Sequence, residues 1–129
     1  MGRFDNWKAP EIRHNELTVY NWLVQYPDGL ELGHGSDIGA FTYINARHGV
    51  EIGELAQIGS HCSLYSVSTI DDKTGKVVIG ENARIGSHST VMPGVTIGKD
   101  AVIGAHSFVN CDIPEGAVAY GIPAKVRNS

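Results

Sequence analysis

The sequence predicts an all-β solenoid, a triangular coil of short strands, on three observations. Aliphatic residues recur at six-residue steps without a break through Ile79, Ile85, Val91, Ile97, Ile103 and Val109, a period and length that helices and ordinary strands do not show. Four of them are followed directly by glycine (Gly80, Gly86, Gly98, Gly104), and the residue four places on is small: Ala83, Ser89, Ala101 and Ser107. The same grammar recurs upstream, with Leu32, Ile38 and Ile44 in one run and Ile52, Ile58, Leu64 and Ile70 in another. A fixed short repeat of this kind marks a stacked, quasi-one-dimensional fold.

Six residues accommodate one short strand and one tight corner, so three units close a triangle and the chain returns to the same place one level up. The aliphatic residue and the small residue four later then point inward, stacking on their equivalents and burying a continuous core. Glycine relieves crowding where the backbone bends. A β-sandwich or barrel would instead set strands about 8 to 12 residues apart with alternating polarity, a spacing this chain lacks. The register slips by two residues between Ile44 and Ile52 and by three between Ile70 and Ile79; such insertions in a solenoid are loops, and they often build the binding face.

The predicted organisation is an N-terminal cap segment over residues 1–30, the repeat over 31–111 with a loop near 66–76, and a C-terminal tail over 112–129. In the cap, Leu17, Val19, Leu23 and Val24 with Tyr20, Trp22 and Tyr26 form an aromatic, strand-like run ending at the turn Pro27-Asp28-Gly29. It covers the open end of the coil, where apolar core and unpaired strand edge would otherwise meet water; the alternative is that Trp7 or Trp22 lines a sugar pocket, since aromatic faces suit sugar rings. In the tail, Pro114, Gly116, Gly121 and Pro123 exclude a long helix and indicate an extended, turning segment.

Composition agrees with one small domain: 129 residues, 16 of them glycine and 8% aromatic. A net charge of −4 argues against a nucleic-acid partner, which calls for a basic face. Cys62, in a small inward slot, and Cys111, in the exit turn, carry no paired motif, which indicates a reducing compartment and no metal knot. The chain shows neither a leader-like start nor about eighteen consecutive apolar residues, so neither secretion nor membrane spanning is expected and the chain is assigned to the cytoplasm.

The segment Val78 to Val126, VIGENARIGSHSTVMPGVTIGKDAVIGAHSFVNCDIPEGAVAYGIPAKV, resembles the C-terminal half of hexapeptide-repeat acyltransferases, the family of the left-handed parallel β-helix, and in particular acetyltransferases acting on sugars and amino sugars. The resemblance implies acetyl-CoA as co-substrate, a homotrimer with sites between subunits, and a sugar or nucleotide-linked amino sugar acceptor, used in surface polysaccharide biosynthesis. It implies further that the pantetheine arm passes Gly-Ser and Gly-Ala corners, which match Gly86-Ser87 and Gly104-Ala105, eighteen residues apart. The closing motif G-x-P-A-K/R of relatives matches Gly121 to Lys125, placing Lys125, with Arg127 close by, near the nucleotide.

Acyl transfer to an amine or hydroxyl is served by a base, and histidine titrates nearest working pH. Of six histidines, His14 and His34 lie in or beside the cap. His61, His88 and His106 fall three residues after an inward aliphatic, a corner position also filled by Asn82 and Asp100, which favours a structural polar corner for at least two of them. His48 stands in the slip Ala46-Arg47-His48-Gly49, outside the regular packing; serine acetyltransferases carry a reactive histidine in a comparable place. Galactoside-type relatives put theirs in the long loop, which here contains none. The catalytic candidates are therefore His48 and His61, unless the acceptor amine loses its proton unaided. Asp71 and Asp72 in the loop are candidates to hold a sugar or its ammonium, or simply form a solvated hairpin tip.

Two other classes share the pattern. γ-Type carbonic anhydrases use the same solenoid and bind zinc through three histidines, two of them about five residues apart; successive histidines here are separated by 20, 14, 13, 27 and 18 residues, so spacing gives no metal site and only stacking of His61, His88 and His106 would. A catalytically silent scaffold is the remaining alternative.

Overall fold

The computed structural model describes residues 6–127, and its strands wind into a parallel solenoid of about five turns. Three sheets form the sides. The first stacks Leu23–Gln25, Tyr43–Asn45, Ser63–Tyr65, Thr90–Val91 and Phe108–Val109; the second stacks Leu30–Leu32, Val50–Ile52, Val77–Ile79 and Thr96–Ile97. The third stacks Asp37–Ile38, Gln57–Ile58, Arg84–Ile85, Val102–Ile103 and Val118–Gly121, closed by the antiparallel strand Ala124–Arg127. All other rungs pair in parallel, and the fold is the left-handed parallel β-helix.

The register follows the repeat. Ile79 pairs with Ile97, Ile85 with Ile103 and Val91 with Val109, each eighteen residues on. Across the two-residue slip the step is twenty, as in Ile38 with Ile58 and Ile44 with Leu64; across the loop it is twenty-seven, as in Ile58 with Ile85. The inserted residues leave the wall and the next aliphatic returns in phase, so the core column stays unbroken. Ile44, Ile52, Leu64, Ile79, Ile97 and Ile103 are fully buried, and so are the small inward residues Ala83, Cys62, Ser89 and Ala101.

Ile70 departs from the hexad pattern. It is fully exposed at the tip of a hairpin in which Val67–Ser68 pairs antiparallel with Lys73–Thr74. The two-residue alternation of the hairpin, rather than the six-residue coil, governs that stretch.

The ends are more regular than the segment boundaries imply. Leu23–Gln25, grouped above with the cap, pairs in register with Tyr43–Asn45 and is the lowest rung of the first sheet. Trp22 and Val24 are buried against the core, whereas Val19 and Tyr20 are exposed. At the other end, Val118–Gly121 continues the third sheet before the chain turns back through Ala124–Arg127. Residues 1–5 and 128–129 of the cap and tail lie outside the described residues.

Candidate functional site

The corners between the sheets carry the candidate chemistry, and each edge of the triangle differs in its side chains. At the edge from the third sheet to the first, successive turns read Gly39-Ala40-Phe41, Gly59-Ser60-His61, Gly86-Ser87-His88 and Gly104-Ala105-His106. The third residue of each turn has positive φ, between 59° and 65°, a region that among side-chain-bearing residues favours Asn, Asp and His. The imidazoles therefore leave the wall in parallel: His61 stacks on His88 with centroids 4.7 Å apart and planes 6° off parallel, and His88 on His106 at 4.8 Å and 5°. Phe41 covers the free face of His61 at 5.4 Å. Imidazole nitrogens ligate in the ring plane, and a tetrahedral site holds neighbouring nitrogens about 3.3 Å apart; rings stacked face to face at these distances do not converge on one ion. Among the described residues no three His, Cys, Asp or Glu side chains form a metal-binding group.

The glycines of this edge let the coils approach. A Cβ added to Gly86 would lie 2.4 Å from Ala105 N and 2.7 Å from its Cα, and one on Gly59 would lie 2.6 Å from Ser87 N. His88 and His106 donate backbone N–H groups to Ser60 O (3.0 Å) and Ser87 O (2.9 Å). Among the described residues the N–H groups of Ser60, Ser87 and Ala105 take no part in the bonds tying the coils together. The equivalent donors on the edge from the second sheet to the third stand beside Glu54, Glu81 and Lys99. The third-to-first edge thus combines unpaired donors with side chains short enough for an extended chain to reach them. Tyr120 closes this edge from above, its Cβ position 2.9 Å from a Cβ on Gly104. Arg127 lies over the Tyr120 ring at 4.7 Å and donates through Nη2 to Tyr120 O at 3.3 Å. Lys125 pairs with Tyr120 in the same hairpin and is exposed.

His48 lies elsewhere, at the corner from the first sheet to the second. Its backbone N–H donates to Ser66 Oγ at 3.0 Å, and Ser66 donates to Asn45 Oδ1 at 3.3 Å, which also accepts from the Arg47 N–H at 3.1 Å. The network continues from Asn45 Nδ2 to the Tyr43 hydroxyl (3.3 Å), from that hydroxyl to Gln25 Oε1 (2.5 Å), and from Gln25 Nε2 to Asn15 Oδ1 (3.0 Å). Burial pushes the Tyr43 hydroxyl above its ordinary pKa, so it stays a neutral donor. Ser66 is fully buried and fixes the slip from the coil above, while the His48 side chain is exposed. Arg47 leans over the Tyr26 ring at 5.6 Å, and His14 Nδ1 accepts the Tyr26 N–H at 2.9 Å.

The loop hairpin rises from the same corner. Asp71 is held below its ordinary pKa, first by a hydrogen bond from Ser68 and then by Lys73, whose Nζ is 3.5 Å away. Asp71 and Asp72 are both exposed near the tip. The structure thus brings His61, Ser87, Ala105 and the Arg127 hairpin to one edge, and His48, Asp71 and Asp72 to another. Asn45 and Tyr43 escaped the sequence reading because they look like ordinary wall residues, and Ser66 because it stands at the start of the loop; the signal available was Asn45, an outward amide set directly before the slip.

Residues 76–118 match the family model described as bacterial transferase hexapeptide (six repeats). No curated protein sequence matches the chain. Solved structures do. A hexapeptide-repeat-containing acetyltransferase from Vibrio cholerae, complexed with acetyl coenzyme A, superposes with a TM-score of 0.79 at 25% identity over 84% of this chain and 64% of that one. A galactoside acetyltransferase in complex with coenzyme A gives 0.76 at 30% identity over 83% and 58%. A maltose O-acetyltransferase from Clostridium difficile gives 0.69 at 28% over 83% and 62%. The chain therefore spans less than two thirds of the length of these three proteins.

Proposed function

We propose that this chain, which carries the hexapeptide repeat of bacterial transferases and folds as hexapeptide-repeat acetyltransferases do, is itself an acetyl-CoA-dependent acetyltransferase acting on a sugar. One observation carries the reading: the edge where unpaired backbone N–H groups belong to the small residues Ser60, Ser87 and Ala105, with the Phe41–His61–His88–His106 column directly beside them, on a fold whose solved neighbours include proteins holding coenzyme A or acetyl-CoA. The pantetheine arm carries two amides on an extended chain, and such an edge offers them donors. Lys125 and Arg127 at its upper end supply cations for the nucleotide phosphates, Arg127 held in place by Tyr120.

The base we assign is His48. Its imidazole takes the proton from the acceptor hydroxyl or amine as that atom attacks the thioester carbonyl, the C–S bond breaks, and the proton passes to the departing thiolate of CoA. Backbone N–H groups of the coils stabilise the tetrahedral oxyanion. His61 has one ring face against Phe41 and the other against His88, and we assign it to the structural column. Asp71 and Asp72 orient the acceptor from the hairpin.

Ser60 and Ser66 stand at opposite ends of one rung, about 15 to 20 Å apart at 3.3 Å per residue, while reacting atoms meet at about 3 Å. The site is therefore completed between copies, the His48 corner of one facing the Ser87 edge of the next, as in a closed trimer. The acceptor is a sugar or a nucleotide-linked amino sugar for surface polysaccharide, handled in the cytoplasm; support comes from galactoside and maltose enzymes among the neighbours. Calorimetric titration with acetyl-CoA, followed by detection of free CoA thiol with sugar acceptors, tests the proposal: one site per chain and acceptor-dependent thiol release are expected, and no binding at millimolar acetyl-CoA refutes it.

A further inference from the structure

A cavity opens against the lowest rung of the third sheet, away from the His48 corner and the loop hairpin. It measures ≈ 440 Å³ and is lined in part by Trp7, Lys8, Tyr20, Trp22, Ser36 and Asp37, a volume within the range of about 300 to 1,000 Å³ usual for small-molecule sites. Trp22 is buried and Tyr20 is largely exposed at the mouth. Trp7 is fixed from two sides: its Nε1–H donates to Ser36 O at 2.8 Å, and its ring meets His34 edge-on with centroids 5.0 Å apart.

Ser36 gives the second observation. It is 5% exposed, and its Oγ is the buried side-chain polar atom that has no hydrogen-bond partner among the described residues. An unsatisfied buried hydroxyl is destabilising, and in a native protein it calls for a partner. The third sheet begins just above the cavity at Asp37–Ile38, so Ser36 is rigidly placed at its wall.

We infer that this cavity binds a neutral pyranose sugar. Aromatic rings suit the apolar faces of a sugar ring, and the Ser36 hydroxyl meets a ring hydroxyl at the edge. A nucleotide would bring several phosphate charges to a cavity whose lining offers one lysine, Lys8, and also carries the Asp37 carboxylate. The cavity shares no residue with the proposed transfer site, so it holds a sugar unit other than the one acetylated, such as a neighbouring unit of an oligosaccharide.

Trp7 and Trp22 are the only two tryptophans of the chain, and both line this cavity, so intrinsic tryptophan emission of the full chain reports on it alone. Titration with galactose and with N-acetylglucosamine is expected to give a saturable change in emission. Ser36→Ala should weaken the apparent affinity about tenfold, the loss of one hydrogen bond, and Tyr20→Ala, which alters an exposed residue and leaves the fold intact, should weaken it as well. Sugar-dependent emission should persist whether or not the protein binds acetyl-CoA, which separates this proposal from the one above. No response to either sugar at ~50 mM, far above any specific affinity of about a millimolar, overturns it. So does a response that both variants leave unchanged, or one given by adenosine and by neither sugar.

Discussion

Replacing Gly86 by alanine tests how closely the coils are stacked. The new Cβ would sit 2.4 Å from Ala105 N and 2.7 Å from Ala105 Cα, both backbone atoms that cannot turn aside. Restoring ordinary contact separates the two coils there by about 1 Å, which carries the Gly86 N–H to Ile103 O bond (2.8 Å) and the His106 N–H to Ser87 O bond (2.9 Å) to roughly 3.8 Å, past hydrogen-bonding distance. Two such bonds at about 1 kcal/mol each, with some loss of contact between Ile85 and Ile103, outweigh the ~0.7 kcal/mol that a glycine-to-alanine change gains by restricting the unfolded chain. The two bonds less the entropy gain leave about 1.3 kcal/mol, and a methylene's worth of lost burial between Ile85 and Ile103, about 0.8 kcal/mol, brings the expected net loss to about 2 kcal/mol, a fall in Tm of roughly 6 to 10 °C for a chain of this size. Gly94→Ala is the comparison: a Cβ there meets nothing within 4 Å, though φ is +81°, so its loss is held to the backbone term of about 1 kcal/mol. Urea unfolding at equal protein concentrations measures both. Gly86→Ala proving no less stable than Gly94→Ala would refute the stacking argument.

Other consequences are as direct. Ser66→Ala removes the hydroxyl holding the His48 backbone, and turnover should fall about tenfold with acetyl-CoA affinity unchanged; Ser66→Thr, which keeps the hydroxyl, should retain activity, and equal activity in all three proteins would remove Ser66 from the account. Ile79→Ala opens a hole in the fully buried column and should cost about 2–5 kcal/mol, whereas Ile70→Ala at the exposed hairpin tip should leave the denaturation midpoint where it was. Burial raises the Cys62 thiol pKa, against hydrogen bonds that lower it, and Cys111 is exposed. A native thiol assay should therefore titrate one cysteine per chain, and two after unfolding. Because the folded thiol holds its proton more tightly than the unfolded one, its contribution to stability is whole below the ordinary thiol pKa and declines as pH rises through and beyond that value.

The solenoid was legible in the sequence because its period is short, strict and repeated, and because each slip could be counted. Ile44 to Ile52 and Leu64 to Ile79 both return in phase, as the twenty- and twenty-seven-residue registers record. Legibility failed where another geometry took over the same spacing: Ile70 keeps the six-residue step from Leu64 yet belongs to an antiparallel hairpin. It failed again at the ends, where Leu23–Gln25 and Val118–Gly121 lack neighbouring hexads to mark them but still pair as rungs. For the candidate site, spacing alone placed Ser87 under Ala105 and His88 under His106. It gave no sign that Ser66 reaches back eighteen residues to hold His48, since a hydrogen bond between loops of different coils leaves no period behind.

The central claim, a transfer site completed between copies, is tested by subunit complementation. His48→Ala and Ala105→Trp are prepared separately, each expected to be inactive, and then unfolded and refolded together. If the histidine of one copy serves the Ser87–Ala105 edge of the next, random assembly gives about a quarter of the sites both intact halves, and activity should return to about that fraction of wild type. Mixed assemblies that form but stay as inactive as either parent would contradict it.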